Sequence, residues 1–348
     1  METPAPLQEA YETQEAIFEW LRQNAHIEPP IAFELSELWD ISLDSVYRRM
    51  RGEKLMKLNE LLQLYHEYDF SLEEVVASSK SRLVFSFQPI LEGAFDFLQY
   101  LEYIDNMLGS IAACSNRKMY YLANDVPMFH LMNAPALASF KLFFWQKTIL
   151  GFDAYKNRSF KLGEVNDRVN KLSRSIRDAY FSIPSIEIFS PQTIETSLRQ
   201  IEYYLMAGHF EDNKTALYLC DEFANLMRHI KVQCELGRKF KAGSEPTNNH
   251  SSTYEVYFNE VLYSDTTIMV EADEERLVYL TNNGLNVLRT NAAPYYEHSL
   301  QSFRILQRKS VPVSLGSDRE RNHTFNVFLN TIDRFKKKLQ AQMDAMTV

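Results

Sequence analysis

The segment WDISLDSVYRRMRGEK (residues 39–54) predicts a tight turn followed by a short amphipathic helix. Ser42 is a suitable N-cap, because a serine hydroxyl accepts a hydrogen bond from the first unpaired N–H groups of a helix. Val46 and Met50 are four residues apart and therefore share one face of that helix. Gly52 stands where a C′ glycine commonly ends a helix. The segment therefore predicts a helix that begins after Ser42, ends before Gly52 and has one apolar face.

Helical patterns continue on both sides of this segment. Residues 13–25, 31–40 and 57–70 repeat apolar residues at three- and four-residue spacings, and residues 71–76 open with a Ser-x-x-Glu capping box. In the helix over residues 57–70, the side chains predicted to face inward are Leu58, Leu61, Leu62 and Tyr65. Five short helices close together predict a compact all-helical module over residues 1–77.

Positive charge is concentrated in residues 42–57, although the whole chain has a net charge of -9. That stretch holds five basic residues and only two acidic ones. A run of charged residues alone is usually a solvated helix face. Any prediction of nucleic-acid binding therefore depends on the five-helix pattern around this run. A short helix with polar residues at its start and arginines further on fits the major groove of DNA. Arginine can bind guanine edges there or pair with phosphate.

The segment ELSELWDISLDSVYRRMRGEKLMKLNELLQLYHEYDFSLEEV (residues 34–75) resembles the helix-turn-helix of Cro/C1-type (XRE family) phage-repressor-like regulators. The shared features are I-S-x-x-S-V-x-R-x-x-x-G, then L-x-x-L-x-x-L, and then F-S-L-E-E. The resemblance implies a five-helix, lambda-repressor-like DNA-binding module at the N-terminus. It also implies binding to paired half-sites as a homodimer, because one module makes few phosphate and base contacts.

The resemblance assigns roles to individual positions of this chain. The side chains expected to face base edges are Leu43, Asp44, Ser45, Tyr47 and Arg48, with Ser42 at the start of the interface. The side chains expected near phosphate are Arg51, Lys54 and Lys57. Three positions depart from the family pattern: Asp40 stands where the turn usually has glycine, Leu43 stands where a polar base-reading residue is common, and Arg49 stands where members often have an apolar residue.

The rest of the chain is predicted to form two further domains. Residues 83–240 are mostly helical in pattern and are expected to mediate self-association. Residues 241–252, KAGSEPTNNHSS, are typical of a linker. Residues 253–348 are expected to form a small α+β domain that senses an unknown effector ligand or protein. Its predicted elements are a hairpin over 266–272 and 276–281, a helix over 294–309, a strand over 311–315 and a closing helix over 322–339.

Several other classes of protein are disfavoured by the sequence. The three cysteines, Cys114, Cys220 and Cys234, form no CxxC pair and favour a reducing cytoplasm. The N-terminus lacks the apolar region of a signal peptide, and no apolar run is long enough for a membrane span. Metalloprotease, hydrolase, P-loop and dinucleotide motifs are absent, so neither an enzyme, a metal site nor a cofactor is expected.

These observations favour a cytoplasmic, sequence-specific transcription regulator that inserts the helix over residues 43–51 into the major groove, as a dimer. The expected fold is mainly α, with a small α+β part at the C-terminus. The alternative is a protein–protein adaptor whose helix-turn-helix module no longer binds DNA; the acidity of residues 1–80 and the apolar Leu43 favour it. A third, weaker alternative is an enzyme hosted in residues 253–348.

Overall fold

The computed structural model describes residues 5–24, 31–68, 83–87, 97–164, 166–245, 252–261, 266–282 and 286–346. The chain divides into two compact units, Met1–Phe85 and Ser86–Val348. The first unit is helical in its described part, and the second combines helices with a seven-stranded sheet. No helix among the described residues is both long enough and apolar enough to cross a lipid bilayer.

The described part of the first unit contains the four helices that the sequence predicts before residue 71. They are α1 (Ala5–Asn24), α2 (Ile31–Trp39), α3 (Leu43–Met50) and α4 (Leu58–Tyr68). Their shared core contains Phe18 of α1, Leu35 and Trp39 of α2, Val46 of α3 and Leu64 of α4. The fifth predicted helix, over residues 71–76, lies outside the described residues.

Helix α4 presents a different face to this core from the one predicted. Leu64 is fully buried and Leu61 is half-buried, whereas the side chains left at the surface are Leu58, Leu62 and Tyr65. The reason is Glu60, which is buried in an ion pair with Arg49. Since residues 60, 61 and 64 lie on one side of a helix, this pairing turns the other leucines outward. The prediction that Leu58, Leu62 and Tyr65 face inward is therefore wrong.

The second unit is built around one mixed sheet with the strand order β6-β5-β4-β1-β2-β3-β7. The strands are β1 (Arg117–Leu122), β2 (Ser185–Phe189), β3 (Tyr254–Phe258), β4 (Thr267–Ala272), β5 (Glu275–Asn282), β6 (Asn286–Thr290) and β7 (Val311–Pro312). Strands β1, β2 and β3 are parallel neighbours. The remaining strands pair antiparallel, and β4 and β5 form the predicted hairpin.

Helices cover both faces of this sheet. They are α5 (Phe97–Ala113), α6 (Met128–Leu131), α7 (Pro135–Phe144), a π-helix (Trp145–Ile149), α8 (Asp153–Lys156), α9 (Asp167–Ser182), α10 (Gln192–Met206), α11 (Lys214–Leu236), α12 (Ala293–Arg308) and α13 (Asp318–Met346). Tyr121 of β1 faces the larger layer, which includes α5, α7, α9, α10, α11 and α13. Its neighbour Tyr120 faces α12, which contributes Tyr296 and Phe303 to the second core.

The sheet joins the two segments that the sequence analysis separates. Strands β1 and β2 come from residues 83–240, and β3 to β7 come from residues 253–348. Both segments therefore belong to one compact unit, with residues 241–252 between two of its elements. The region whose pattern predicts helices therefore contains two central strands, β1 and β2, that are covered on both faces. RKMYYL lacks the alternation of apolar and polar residues that marks a half-exposed strand, and the polar residues that alternate in SIEIF, Ser185 and Glu187, are themselves buried.

Candidate nucleic-acid interface

Helix α3 is capped at both ends in the way its sequence predicts. The hydroxyl of Ser42 accepts a hydrogen bond from the backbone N–H of Ser45 at 3.3 Å. At the other end, the N–H of Gly52 donates to the carbonyl of Arg49 at 3.0 Å, and the N–H of Glu53 donates to the carbonyl of Arg48 at 2.8 Å. These two bonds form a Schellman motif, which requires a left-handed residue at Gly52; its φ is +71°.

The turn before α3 uses a non-glycine residue in a left-handed conformation. Asp40 has φ +51° at the position where the resembled family usually has glycine. The N–H of Ile41 donates to the carbonyl of Ser36 at 3.1 Å, and the Ser36 hydroxyl donates to the carbonyl of Ile41 at 2.7 Å. These hydrogen bonds hold α2 and α3 together through a tight turn, at a conformational cost carried by Asp40.

The inward face of α3 contains Val46 and, unexpectedly, Arg49, which are both buried. The Arg49 guanidinium makes two hydrogen bonds of 2.8 Å to the Glu60 carboxylate and a third of 2.9 Å to the carbonyl of Ser45. Burial by itself raises the pKa of Glu60. The hydrogen bonds from Arg49 and from the backbone N–H of Lys57 outweigh that effect and hold the pKa below its ordinary value. Arg49 is therefore a structural residue.

Gln14 of α1 fixes the loop that follows α3. Its amide nitrogen donates to the carbonyls of Arg49 at 2.8 Å and Lys54 at 3.0 Å. Its amide oxygen accepts from the N–H of Met56 at 2.5 Å. Three hydrogen bonds from one side chain hold the backbone of residues 49–56, so the basic residue Lys54 extends from a positioned loop.

The opposite face of α3 is exposed and carries the residues predicted to bind DNA. Of the nine predicted residues, Ser45 is half-buried and the others are exposed: Ser42, Leu43, Asp44, Tyr47, Arg48, Arg51, Lys54 and Lys57. The side chains of Arg48 and Arg51 are 51% and 55% exposed. These nine residues, called the α3 surface below, therefore all lie at or near solvent, on α3, at its two caps and in the segment that follows.

Glu53 interacts with both exposed arginines of the α3 surface. Its carboxylate lies 2.6 Å from Nε of Arg51 and 3.6 Å from Nε of Arg48. The hydrogen bond from Arg51 lowers the pKa of Glu53 and raises that of Arg51. Exposed ion pairs of this kind are weak and exchange readily for other partners. Glu53 therefore orders the two guanidinium groups and leaves them able to bind an external anion.

A buried polar network in the second unit was not anticipated from the sequence. Glu187 of β2 accepts hydrogen bonds from the hydroxyls of Tyr180, Ser185 and Tyr254, the last two at 3.1 and 3.0 Å. Because each tyrosine hydroxyl has one proton and donates it to Glu187, the nearby Nε2 of His130 is assigned as an N–H donor. The available signal was a glutamate between two isoleucines in the strand sequence SIEIF.

Lys239 lies beside this network and is completely buried. Its ammonium nitrogen is 3.7 Å from the centre of the Tyr180 ring and has no hydrogen-bond acceptor among the described residues. Burial lowers the pKa of Lys239 to about 7, against an opposing effect of the Glu187 charge. The network is closed to solvent, and the described residues contain no cluster of His, Cys, Asp or Glu that could hold a metal ion. The network is therefore a buried polar part of the core of the second unit.

Comparison with known proteins identifies no relative, since no family model, no curated protein and no solved structure matches the chain.

Proposed function

We propose that the protein is a sequence-specific, double-stranded-DNA-binding transcription regulator that acts in the cytoplasm and inserts α3 into the major groove. The observation that supports this most strongly is that the buried and exposed faces of α3 carry residues with different roles. Val46 and Arg49 hold the helix in its unit, while Arg48 and Arg51 extend from the opposite face into solvent. Helices of this size fit the major groove, and arginines at their surface can read guanine or bind phosphate.

The proposed contacts fall into two groups. The exposed residues of α3, from Leu43 to Arg48, approach base edges. Arg51, Lys54 and Lys57 follow them and approach phosphate, with the backbone of Lys54 held by Gln14. Base contacts confer sequence preference, and phosphate contacts confer affinity and salt dependence.

The first test is selection of binding sites from a random pool of duplex DNA with the full-length protein. Wild type is expected to enrich one sequence motif. Arg48→Ala is expected to lose that enrichment, whereas Arg51→Ala, at a proposed phosphate contact, is expected to weaken binding to every sequence. Arg22→Ala is the matched control, because Arg22 is an exposed arginine of α1 outside the α3 surface. Equal enrichment of the same motif by wild type and Arg48→Ala would contradict the base-contact assignment.

Self-association is part of the proposal, because DNA-binding modules of this size gain affinity by engaging two half-sites. The second unit is proposed to provide the dimer contact and the response to an effector. Light scattering on the full chain, with and without the selected duplex, is expected to give the mass of a dimer. A monomer under both conditions would contradict this part of the proposal.

A second candidate function is that of a protein–protein adaptor. The observation in its favour is that Leu43 and Tyr47 are 40% and 44% exposed on the same face as the arginines, where they could contact an apolar protein surface. The pairing of Glu53 with both arginines also reduces the net positive charge there. Failure of the wild-type protein to enrich any duplex, with the first unit folded, would favour this function over DNA binding.

A further inference from the structure

The second unit contains an open pocket of about 450 Å³. Its described walls come from α5, α7, the π-helix and the residues from Phe152 to Val169. Small-molecule sites in proteins commonly occupy about 300–1,000 Å³, so the pocket is large enough for a ligand.

The inner wall of the pocket is apolar and aromatic. Leu142, Phe143 and Phe160 are buried in the core of the unit and also line the pocket. Tyr155 and Val169 are half-buried and extend the apolar wall outward. A ligand that reaches this wall must therefore present an aliphatic or aromatic body, because contact with these side chains removes apolar surface from water.

One wall contains a local departure from α-helical geometry. At Trp145–Ile149 the chain forms a π-helix, and the N–H of Leu150 donates to the carbonyl of Trp145 at 2.8 Å. Gln146, in this segment, lines the pocket. π-Helical turns are rare and are found frequently at functional sites. The distortion is thus an observation independent of pocket size that points to a binding role.

The exposed side chains that line the pocket include two cations, Arg158 and Lys161, and one carboxylate, Glu164. The Arg158 guanidinium lies 5.1 Å from the ring centre of Tyr155, which positions it at the edge of the apolar wall, and it pairs with Glu164 at 2.9 Å. Lys161 pairs more loosely with Glu211 at 3.4 Å. All four charged side chains are about half exposed, so an incoming anion can replace either carboxylate at little cost.

We infer that this pocket binds an amphipathic small-molecule carboxylate, with its apolar body against Leu142, Phe143 and Phe160 and its carboxylate at Arg158 and Lys161. The combination of a buried apolar wall and exposed cations matches a ligand with one charged end. This function lies beyond the proposed DNA binding and does not depend on it.

Calorimetric titration of the full-length protein with decanoate and with decanol tests the inference. Both probes have the same apolar body, and decanoate is expected to bind more tightly because only decanoate carries the anion. Arg158→Gln is expected to weaken decanoate binding about tenfold and to leave decanol binding unchanged, since a hydrogen bond to a charged group is lost. Lys156→Gln is the matched control, because Lys156 is an exposed neighbour that does not line the pocket.

A second variant tests the location of the apolar body. Val169→Trp places a larger side chain in the pocket from the surface of α9 and is expected to abolish binding of both probes, with circular dichroism confirming the fold. The inference is overturned if wild type binds neither probe saturably, or if folded Val169→Trp binds them as wild type does. Equal loss of both probes in Arg158→Gln would overturn the assignment of the carboxylate.

Discussion

At the scale of single residues, the three arginines of α3 and its C-cap have different roles despite their adjacency. Arg49 is buried with Glu60, whereas Arg48 and Arg51 are exposed. The sequence reveals the concentration of positive charge but not which arginine is buried, because the partner of Arg49 lies on the next helix. The helical repeat gives the only available indication, since Arg49 is three residues from Val46 and shares its face.

Substitution of these two adjacent arginines is expected to change the stability of the first unit by very different amounts. Arg49→Met leaves the Glu60 carboxylate buried without its partner and is expected to destabilise the first unit by about 3–5 kcal/mol. Arg48→Met alters an exposed side chain and is expected to change stability by less than about 0.5 kcal/mol. Urea unfolding followed by tryptophan fluorescence measures both changes in stability, because the centre of the Trp39 ring lies 6.0 Å from the Arg49 guanidinium. Similar losses for the two variants would disprove the structural role of Arg49.

The ion pair between Arg49 and Glu60 makes the stability of the first unit depend on pH in the acid range. The lowered pKa of Glu60 means that its stabilising contribution is present above the ordinary carboxyl pKa and is lost as the pH falls through the lowered value.

Lys239 is expected to make the stability of the second unit depend on pH between about 7 and 10.5. Its pKa is about 7 in the folded protein and 10.5 ordinarily, so between these values the unfolded chain binds a proton that the folded protein does not. The free energy of unfolding should therefore rise with pH across this interval. Lys239→Met should remove that contribution and stabilise the protein, with a larger gain at pH 7 than at pH 10. Paired urea titrations of wild type and variant at the two pH values measure the change in stability. A gain that does not shrink at pH 10 would contradict the lowered pKa of Lys239.

At the scale of elements, local signals predict the first unit better than the second. The N-cap at Ser42 and the C′ glycine at Gly52 are set by neighbours in sequence, and both are confirmed. The orientation of α4 is not local, because it depends on the pairing of Glu60 with another helix. Local signals do not predict strands β1 and β2 for a related reason: the strands that pair with them are distant in sequence, and helices cover both faces of the sheet.

The turn between α2 and α3 provides an element-scale prediction. Asp40→Gly should relieve the left-handed strain at φ +51° and stabilise the first unit by about 0.5–1 kcal/mol. Asp40→Ala retains the Cβ atom and should give no such gain. Thermal unfolding of the full-length variants, followed by tryptophan fluorescence, distinguishes them. An equal gain from alanine would assign the effect to the aspartate charge and not to the backbone.

At the scale of the whole molecule, the chain combines a small helical unit that carries the α3 surface with a larger unit built on one sheet. The predicted boundary at residues 241–252 follows a real change in composition, but long-range pairing of β2 with β3 joins the sequences on either side. Composition thus marks residues 241–252, and only tertiary pairing shows that the segments on either side share a core. The buried network around Glu187 and the pocket beside the π-helix likewise assemble residues from distant segments.

The proposed function depends on binding of duplex DNA by the α3 surface, and fluorescence anisotropy with the selected duplex over a range of salt concentrations measures this most directly. Wild type should bind the selected duplex more tightly than a scrambled one, and its affinity should fall as salt rises. Arg48→Ala should lose about tenfold or more on the selected duplex only, and Lys54→Ala should weaken both duplexes and reduce the salt slope by about one. Equal wild-type affinity for the two duplexes, or unchanged binding by both variants, would contradict it.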